Sequence, residues 1–172
     1  NLFYTKGVSY YYDAAKQIKN ANLNADFFIA GEYLKNHPLS IEDSLYKTIL
    51  ESKSIKYLGA WDQKTFLKNL YDYHVFVLPS FGEGMPLAVM EAMASGRALI
   101  CTDVPGCSSC ITDDKNGYLC EQQSSESLTQ SMQNIIYNEN RISEMGEYSR
   151  KIVENEFELG LIYKKYLNAI NT

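Results

Sequence analysis

The 172-residue chain carries 16 basic and 21 acidic side chains, a net charge of −5, with 45% hydrophobic and 22% charged residues. Those values exclude a disordered or collagen-like chain, and the acidic balance argues against a nucleic-acid partner, which wants a basic face. No uncharged apolar run approaches the roughly 18–20 residues that span a bilayer, and a chain of this size buries enough surface for one domain with a real core. The first residue is Asn1, in what reads as the end of a strand. We therefore expect a piece of a longer polypeptide, without a signal peptide.

Residues Gly7–Asn22 place Val8, Tyr11, Tyr12, Ala15 and Ile18 on one helical face. The uncharged run Phe27–Ala30, ending at Gly31, reads as a fully buried strand. Ser40 is a candidate N-cap for a helix over Ile41–Lys53, with Asp43 completing an approximate capping box. Ile55–Leu58 is a second strand, ending at Gly59, and Asp62–Tyr71 is a helix with Phe66, Leu67 and Leu70 on one face. Val75–Leu78 is the clearest strand, stopped by Pro79; Pro86–Ser95 is a helix with proline in its first turn. Ala98–Cys101 and Gly117–Cys120 are strands, and helices follow over Ser125–Asn138, Asn140–Asn155 and Glu158–Ile170. About five strands alternating with helices give β-α-β units, so the expected fold is an α/β, Rossmann-like, doubly wound parallel sheet with C-terminal helices. We expect one domain over residues 1–172, with 156–172 a C-terminal helix.

Ligands bind such sheets at the carboxyl ends of the strands, here Gly31–Leu39, Gly59–Asp62, Pro79–Pro86 and Thr102–Cys110. The third loop is the informative one. Gly82 and Gly84 flank Glu83, a helix starts at Pro86, and Glu91 follows within it. Glycines allow close backbone approach, and the free N–H groups of a helix start attract phosphate, so a diphosphate suits the Gly84–Leu87 turn. Glu91 offers two oxygens to vicinal hydroxyls, as acidic residues do for ribose at other Rossmann sites. The plain alternative is a Glu91 that faces solvent on an amphipathic helix.

The string from Phe81 to Gly96 resembles F-G-E-G-x-P-L-x-x-x-E-A-M-A-x-G of the retaining glycosyltransferases of family four, in the donor-binding C-terminal half of their two-Rossmann-domain (GT-B) architecture. Its E-x7-E pattern falls on Glu83 and Glu91. Thr102–Cys107 is similar to the strand-end loop of the bacterial polysaccharide branch, Asn116–Leu119 to the N-G-[FY]-L turn, Lys6-Gly7 to the K-G after the first strand, and Tyr57–Gly59 to F/Y-L-G. The likeness covers essentially the whole chain. It departs from the family where Asn1 stands five residues before Lys6 in place of a common arginine, and where Ser108–Ile111 lacks a common glutamate.

The resemblance implies roles. Glu83 binds hydroxyls of the donor sugar and Glu91 those of the nucleotide's ribose. Backbone N–H groups of Gly82, Gly84, Met85 and Leu87 hold the diphosphate beside Pro86, which has none to give. Lys6 neutralises the leaving diphosphate, and the base, uracil by analogy, lies near Gly31, Tyr57 and Leu58. No cofactor and no metal are implied. The implied reaction transfers a hexosyl or N-acetylhexosaminyl group from a UDP-sugar to a saccharide or lipid-linked acceptor in capsule, exopolysaccharide or O-antigen synthesis. Front-face attack is the favoured route over double displacement. The acceptor half, with a catalytic-site histidine, would precede this sequence, and these residues alone would be inactive. The implied location is the cytoplasm, with peripheral association of the full enzyme at the inner face of the membrane. A nucleotide-sugar epimerase on the same scaffold and a non-catalytic nucleotide-binding module are the alternatives.

The remaining candidates have plain readings. Cys101, Cys107, Cys110 and Cys120 lack the partners of a zinc site and read as reduced thiols. Tyr11 and Tyr12 are expected against the sheet with Tyr10 exposed, and His74 is expected to be structural. Lys164 and Lys165, beside Tyr163 and Tyr166, read as a solvated face rather than a membrane contact.

Overall fold

A strand buried on both faces must be apolar at every position, and Ala98–Thr102 is apolar until its last residue. In the computed structural model, which describes residues 1–157, all of its residues are buried. This is strand β4, among five parallel strands: β1 (Phe28–Ile29), β2 (Lys56–Tyr57), β3 (Val75–Leu78), β4 (Ala98–Thr102) and β5 (Gly117–Cys120). The α-helices are α1 (Val8–Asn20), α2 (Asp43–Glu51), α3 (Gln63–Asn69), α4 (Leu87–Ala94), α5 (Pro105–Ser108), α6 (Ser125–Tyr137) and α7 (Ile142–Ile152). The expected helix over Glu158–Ile170, and with it Lys164 and Lys165, lies outside the described residues.

The side chains of β4 alternate between two cores, as the two-residue period of a strand requires. Ala98 and Ile100 join Ala14 and Ile18 of α1 with Leu128 and Met132 of α6. Leu99 and Cys101 join Val89 and Met93 of α4 with Cys107 and Cys110. Helices therefore cover both faces, the doubly wound arrangement expected. Side chains buried this fully contribute roughly 1.5–3 kcal/mol each.

The strands differ from expectation in one respect. They form two sheets among the described residues, β1–β2 and β3–β4–β5, each with parallel pairing. Phe27–Ala30 was expected to be fully buried, but β1 is only two residues long and half-buried. β3, whose limits match the sequence expectation, is half-buried throughout. The cause is the same for both: each has an edge without a strand partner among the described residues.

Local departures have identifiable causes. Ser40 does not cap α2: its backbone bridges Phe3 and its N–H bonds His37, so the helix starts later, at Asp43, behind Glu42. The Ser40 hydroxyl is buried with no hydrogen-bond partner among the described residues. Pro86 stands at the N-cap of α4, one position ahead of the expected first turn. Asp62 and Ser124 do cap, accepting from the Thr65 and Ser127 N–H groups. Tyr10 is half-buried, not exposed, because it packs edge-to-face on Phe81 at 5.8 Å. His74 is exposed, and the four cysteines are free and buried.

Candidate functional site

The Pro79–Pro86 loop is held from below by its neighbours on the sheet. The Thr102 hydroxyl donates to the Ser80 carbonyl, and the Ser80 hydroxyl donates to the Thr5 carbonyl at 3.1 Å. The Phe81 N–H donates to the same Thr5 carbonyl, and the Gln122 side-chain amide to the Phe81 carbonyl. α5 then passes directly under Glu83. A Cβ on Gly106 would stand 2.2 Å from the Glu83 carbonyl oxygen, so only glycine permits this approach.

A second close approach brings Lys6 into the site. Gly7 adopts φ 69°, and a Cβ there would lie 2.0 Å from the Pro79 carbonyl oxygen. Glycine thus lets the turn Tyr4–Lys6 stack on the end of β3. The Lys6 ammonium reaches across and donates to Glu83 Oε1 at 2.6 Å, with the carboxylate 13% exposed and the ammonium 40%. Two residues far apart in the chain, which the sequence assigned to one site, are in direct contact. Lys6 has three N–H donors and commits one to Glu83, so it retains capacity for an anion beside it.

Glu91 lies one and a half turns into α4, half-buried. It is partly exposed, with one bond to a neighbouring helix. Gln63, at the start of α3, donates its side-chain amide to Glu91 Oε1 at 2.8 Å. Sequence reasoning did not find Gln63; the contact bridges two helices, and no local pattern marks it.

Gly31 and Leu58 meet where β1 and β2 end: the Gly31 N–H donates to the Gly59 carbonyl and the Leu58 N–H to the Ile29 carbonyl. Tyr57 does different work. Its hydroxyl donates to the Gly31 carbonyl at 2.7 Å, fixing the turn from the other side, and burial pushes its pKa up to about 12. It supports the Gly31 backbone and stands off the cavity wall.

One cavity of about 1230 Å³ joins these parts, lined by Lys6, Gly31, Leu58, Glu83, Met85, Pro86, Leu87 and Glu91, with Trp61 and Gln63. Its wall includes the start of α4, where the first N–H groups have no partner within the helix and the dipole favours negative charge. Nothing among the described residues would touch a Cβ on Gly82 or Gly84, so the space over both glycines is open to them. Basic, acidic and backbone-donor groups thus surround one cleft: a cation and a helix start for an anion, and two separated carboxylates for hydroxyls.

The sequence pattern of the glycosyl transferases group 1 family matches residues 1–152. The chain belongs to that family. It is 28% identical over 134 residues to the N,N'-diacetylbacillosaminyl-diphospho-undecaprenol alpha-1,3-N-acetylgalactosaminyltransferase of Campylobacter jejuni, covering 78% of this chain and 33% of that protein. It is 27% identical over 177 residues to the poly(ribitol-phosphate) alpha-N-acetylglucosaminyltransferase of Staphylococcus aureus, covering 98% and 33% respectively. The fold superimposes with a TM-score of 0.74 and 28% identity on the pneumococcal O-GlcNAc transferase GtfA, solved in complex with UDP and GlcNAc, over 99% of this chain and 34% of that one. The glycosyl transferase domain described here therefore spans about a third of the length of these relatives. No helix of its described residues is long and apolar enough to cross a membrane.

Proposed function

We propose that this domain binds the nucleoside-diphosphate sugar, a UDP-sugar, for a retaining glycosyltransferase of family four. The observation that carries the reading is the Lys6–Glu83 contact at the start of α4, with Glu91 held by Gln63 in the same cleft. The solved relative with UDP and GlcNAc supports the same class of ligand. Glu91 takes the ribose hydroxyls and Glu83 those of the sugar. The base lies along Gly31 and Leu58, beside Trp61.

Breaking the sugar–diphosphate bond develops positive charge at the anomeric carbon and negative charge on the departing diphosphate. Fixed donors aimed at that negative charge lower the barrier. Here they are the Lys6 ammonium and the backbone N–H groups at Met85 and Leu87. As charge moves to the diphosphate, Lys6 shifts its hydrogen bonding toward it and frees the Glu83 carboxylate for the sugar. The incoming acceptor hydroxyl, a saccharide's or a lipid-linked saccharide's, attacks on the face from which the diphosphate leaves, forming the glycosidic bond as the sugar–diphosphate bond breaks and passing its proton to the departing diphosphate. The acceptor is held by a further domain of the full-length enzyme, which works in the cytoplasm at the membrane face, in capsule, exopolysaccharide or O-antigen synthesis. Group 1 membership favours transfer over epimerisation and over mere nucleotide binding.

Calorimetric titration of the domain with UDP, UDP-GlcNAc, UDP-GalNAc, UDP-glucose and GDP-mannose tests the reading. Binding of the uridine ligands in preference to GDP-mannose is expected, with no transfer by the domain alone. No binding of any of them at millimolar concentration would defeat it.

A further inference from the structure

The two carboxylates of the cleft have partners of different kinds. Glu83 is paired with the Lys6 ammonium. Glu91 takes an amide N–H from Gln63 at 2.8 Å, and no lysine, arginine or histidine pairs with it among the described residues. A guanidinium or ammonium in the place of Gln63 would compete with hydroxyls for the carboxylate oxygens. An amide N–H holds one oxygen and leaves the charge whole, with the second oxygen open to a ligand.

The helices behind this contact share one core. α4 buries Val89, Ala92 and Met93 in it, and α3 leads into the buried Leu70 and packs Phe66 edge-to-face on Phe76 at 5.9 Å. Gln63 is the first residue of α3, directly after the N-cap Asp62. The Asp62 carboxylate accepts the Thr65 N–H at 2.7 Å, a bond that lowers its pKa and fixes the first turn. The backbones that carry Gln63 and Glu91 are thus held relative to each other, while both side chains line the cleft. In the open cleft the pair is exposed to water and its bond contributes little. A ligand that excludes that water strengthens it.

We propose that Gln63 is a positioning residue that makes the site selective for ribonucleotides: it aims the Glu91 carboxylate so that both vicinal hydroxyls of a ribose find an oxygen. This role rests on the donor-site reading above and deepens it. Gln63 acts through Glu91 and does not itself touch the ligand. With Oε1 held, the carboxylate is oriented before the nucleotide arrives, and less side-chain freedom is lost on binding. A ligand without the hydroxyls leaves the aimed carboxylate unpaired, which is how polar sites reject deoxygenated analogues. Gln63 therefore serves discrimination at the ribose. Affinity for the diphosphate belongs to Lys6 and the start of α4.

Calorimetry with UDP, 2′,3′-dideoxyuridine diphosphate and inorganic pyrophosphate tests the role. The proteins are the wild type, Gln63→Met, Gln63→Glu, Glu91→Ala and the Gln63→Met/Glu91→Ala double variant, with Tm as the check on folding. Methionine keeps the length of the side chain and removes the donor. The wild type is expected to prefer UDP to the dideoxy analogue about tenfold or more. Gln63→Met should weaken UDP about threefold or more and leave the dideoxy analogue and pyrophosphate within about twofold. In the Glu91→Ala background the same substitution should change nothing. Gln63→Glu sets two carboxylates side by side and should lose at least as much UDP affinity as Gln63→Met. UDP affinity kept in the Gln63 variants would overturn the proposal. So would equal losses of UDP and its dideoxy analogue, or a loss that persists without Glu91. No binding of UDP by the wild type would instead defeat the donor-site reading itself, and this role with it.

Discussion

The three-stranded and two-stranded halves of this domain are built to different standards. β4 is wholly buried, flanked on both edges and covered by helices on both faces. β1 and β2 are two-residue strands with half-buried or exposed side chains. The proposed chemistry follows that division. Glu83, Glu91 and the start of α4 belong to the well-packed half, whose loop rests on Gly106 and Thr102. Gly31 and Leu58, on the side proposed for the base, belong to the looser half. Groups that must meet a transition state need fixed positions, whereas an aromatic base needs only a surface and a few backbone contacts.

Substitutions can break or sharpen that contrast. Gly117→Ala should have the largest effect, because its Cβ would stand 2.0 Å from the Leu99 carbonyl oxygen between β4 and β5. We expect a loss of ~3 kcal/mol in chemical denaturation; a near-wild-type midpoint would show that this half is less tightly packed than described. Gly106→Ala should cost ~2 kcal/mol and displace the Glu83 loop, weakening UDP-sugar binding even where the protein remains folded. In the looser half, Tyr57→Phe removes the hydroxyl that bonds the Gly31 carbonyl and should cost ~1 kcal/mol, without changing exchange protection in β4. Loss of protection there would mean that the halves unfold as one unit.

The smallest effect is electrostatic. Arg141 and the Tyr118 hydroxyl bond the Asp114 carboxylate and hold its pKa below the ordinary value of 3.8. A lowered folded-state pKa adds stability above the unfolded value that is lost as the pH falls through the folded one. Arg141→Ala should therefore raise the Asp114 pKa in an NMR titration and slightly weaken the protein near neutral pH. The part of the difference that comes from the Asp114 charge should vanish in strong acid, where that carboxylate is protonated in both states, leaving the Arg141 bond to the Asp114 backbone carbonyl.

The same contrast governs what the sequence made legible. Val75–Leu78 and Gly117–Cys120 have the expected limits because continuous apolar runs end at Pro79 and begin at Gly117. Among the described residues, the expected helices fall within a few residues of their apolar periodicity. The split between β1 and β3 was not legible, because strand pairing depends on which chain lies alongside, not on the run itself. Ser40 had the chemistry of a cap but is held elsewhere by Phe3 and His37. In the site, Glu83 and Glu91 were found by the motif around them and Lys6 by its Lys-Gly pair. Gln63 and the closeness of Gly106 to the loop are tertiary facts, with no periodic or local signature.

The division of labour between the two carboxylates is the central proposal, and calorimetry with UDP and UDP-GlcNAc on the wild-type, Glu83→Ala and Glu91→Ala domains tests it most directly. Glu91→Ala should weaken both ligands about tenfold or more, the loss of hydrogen bonds to a charged acceptor. Glu83→Ala should leave UDP within a few-fold of wild type and weaken UDP-GlcNAc. Equal losses of both ligands in the two variants would contradict the assignment.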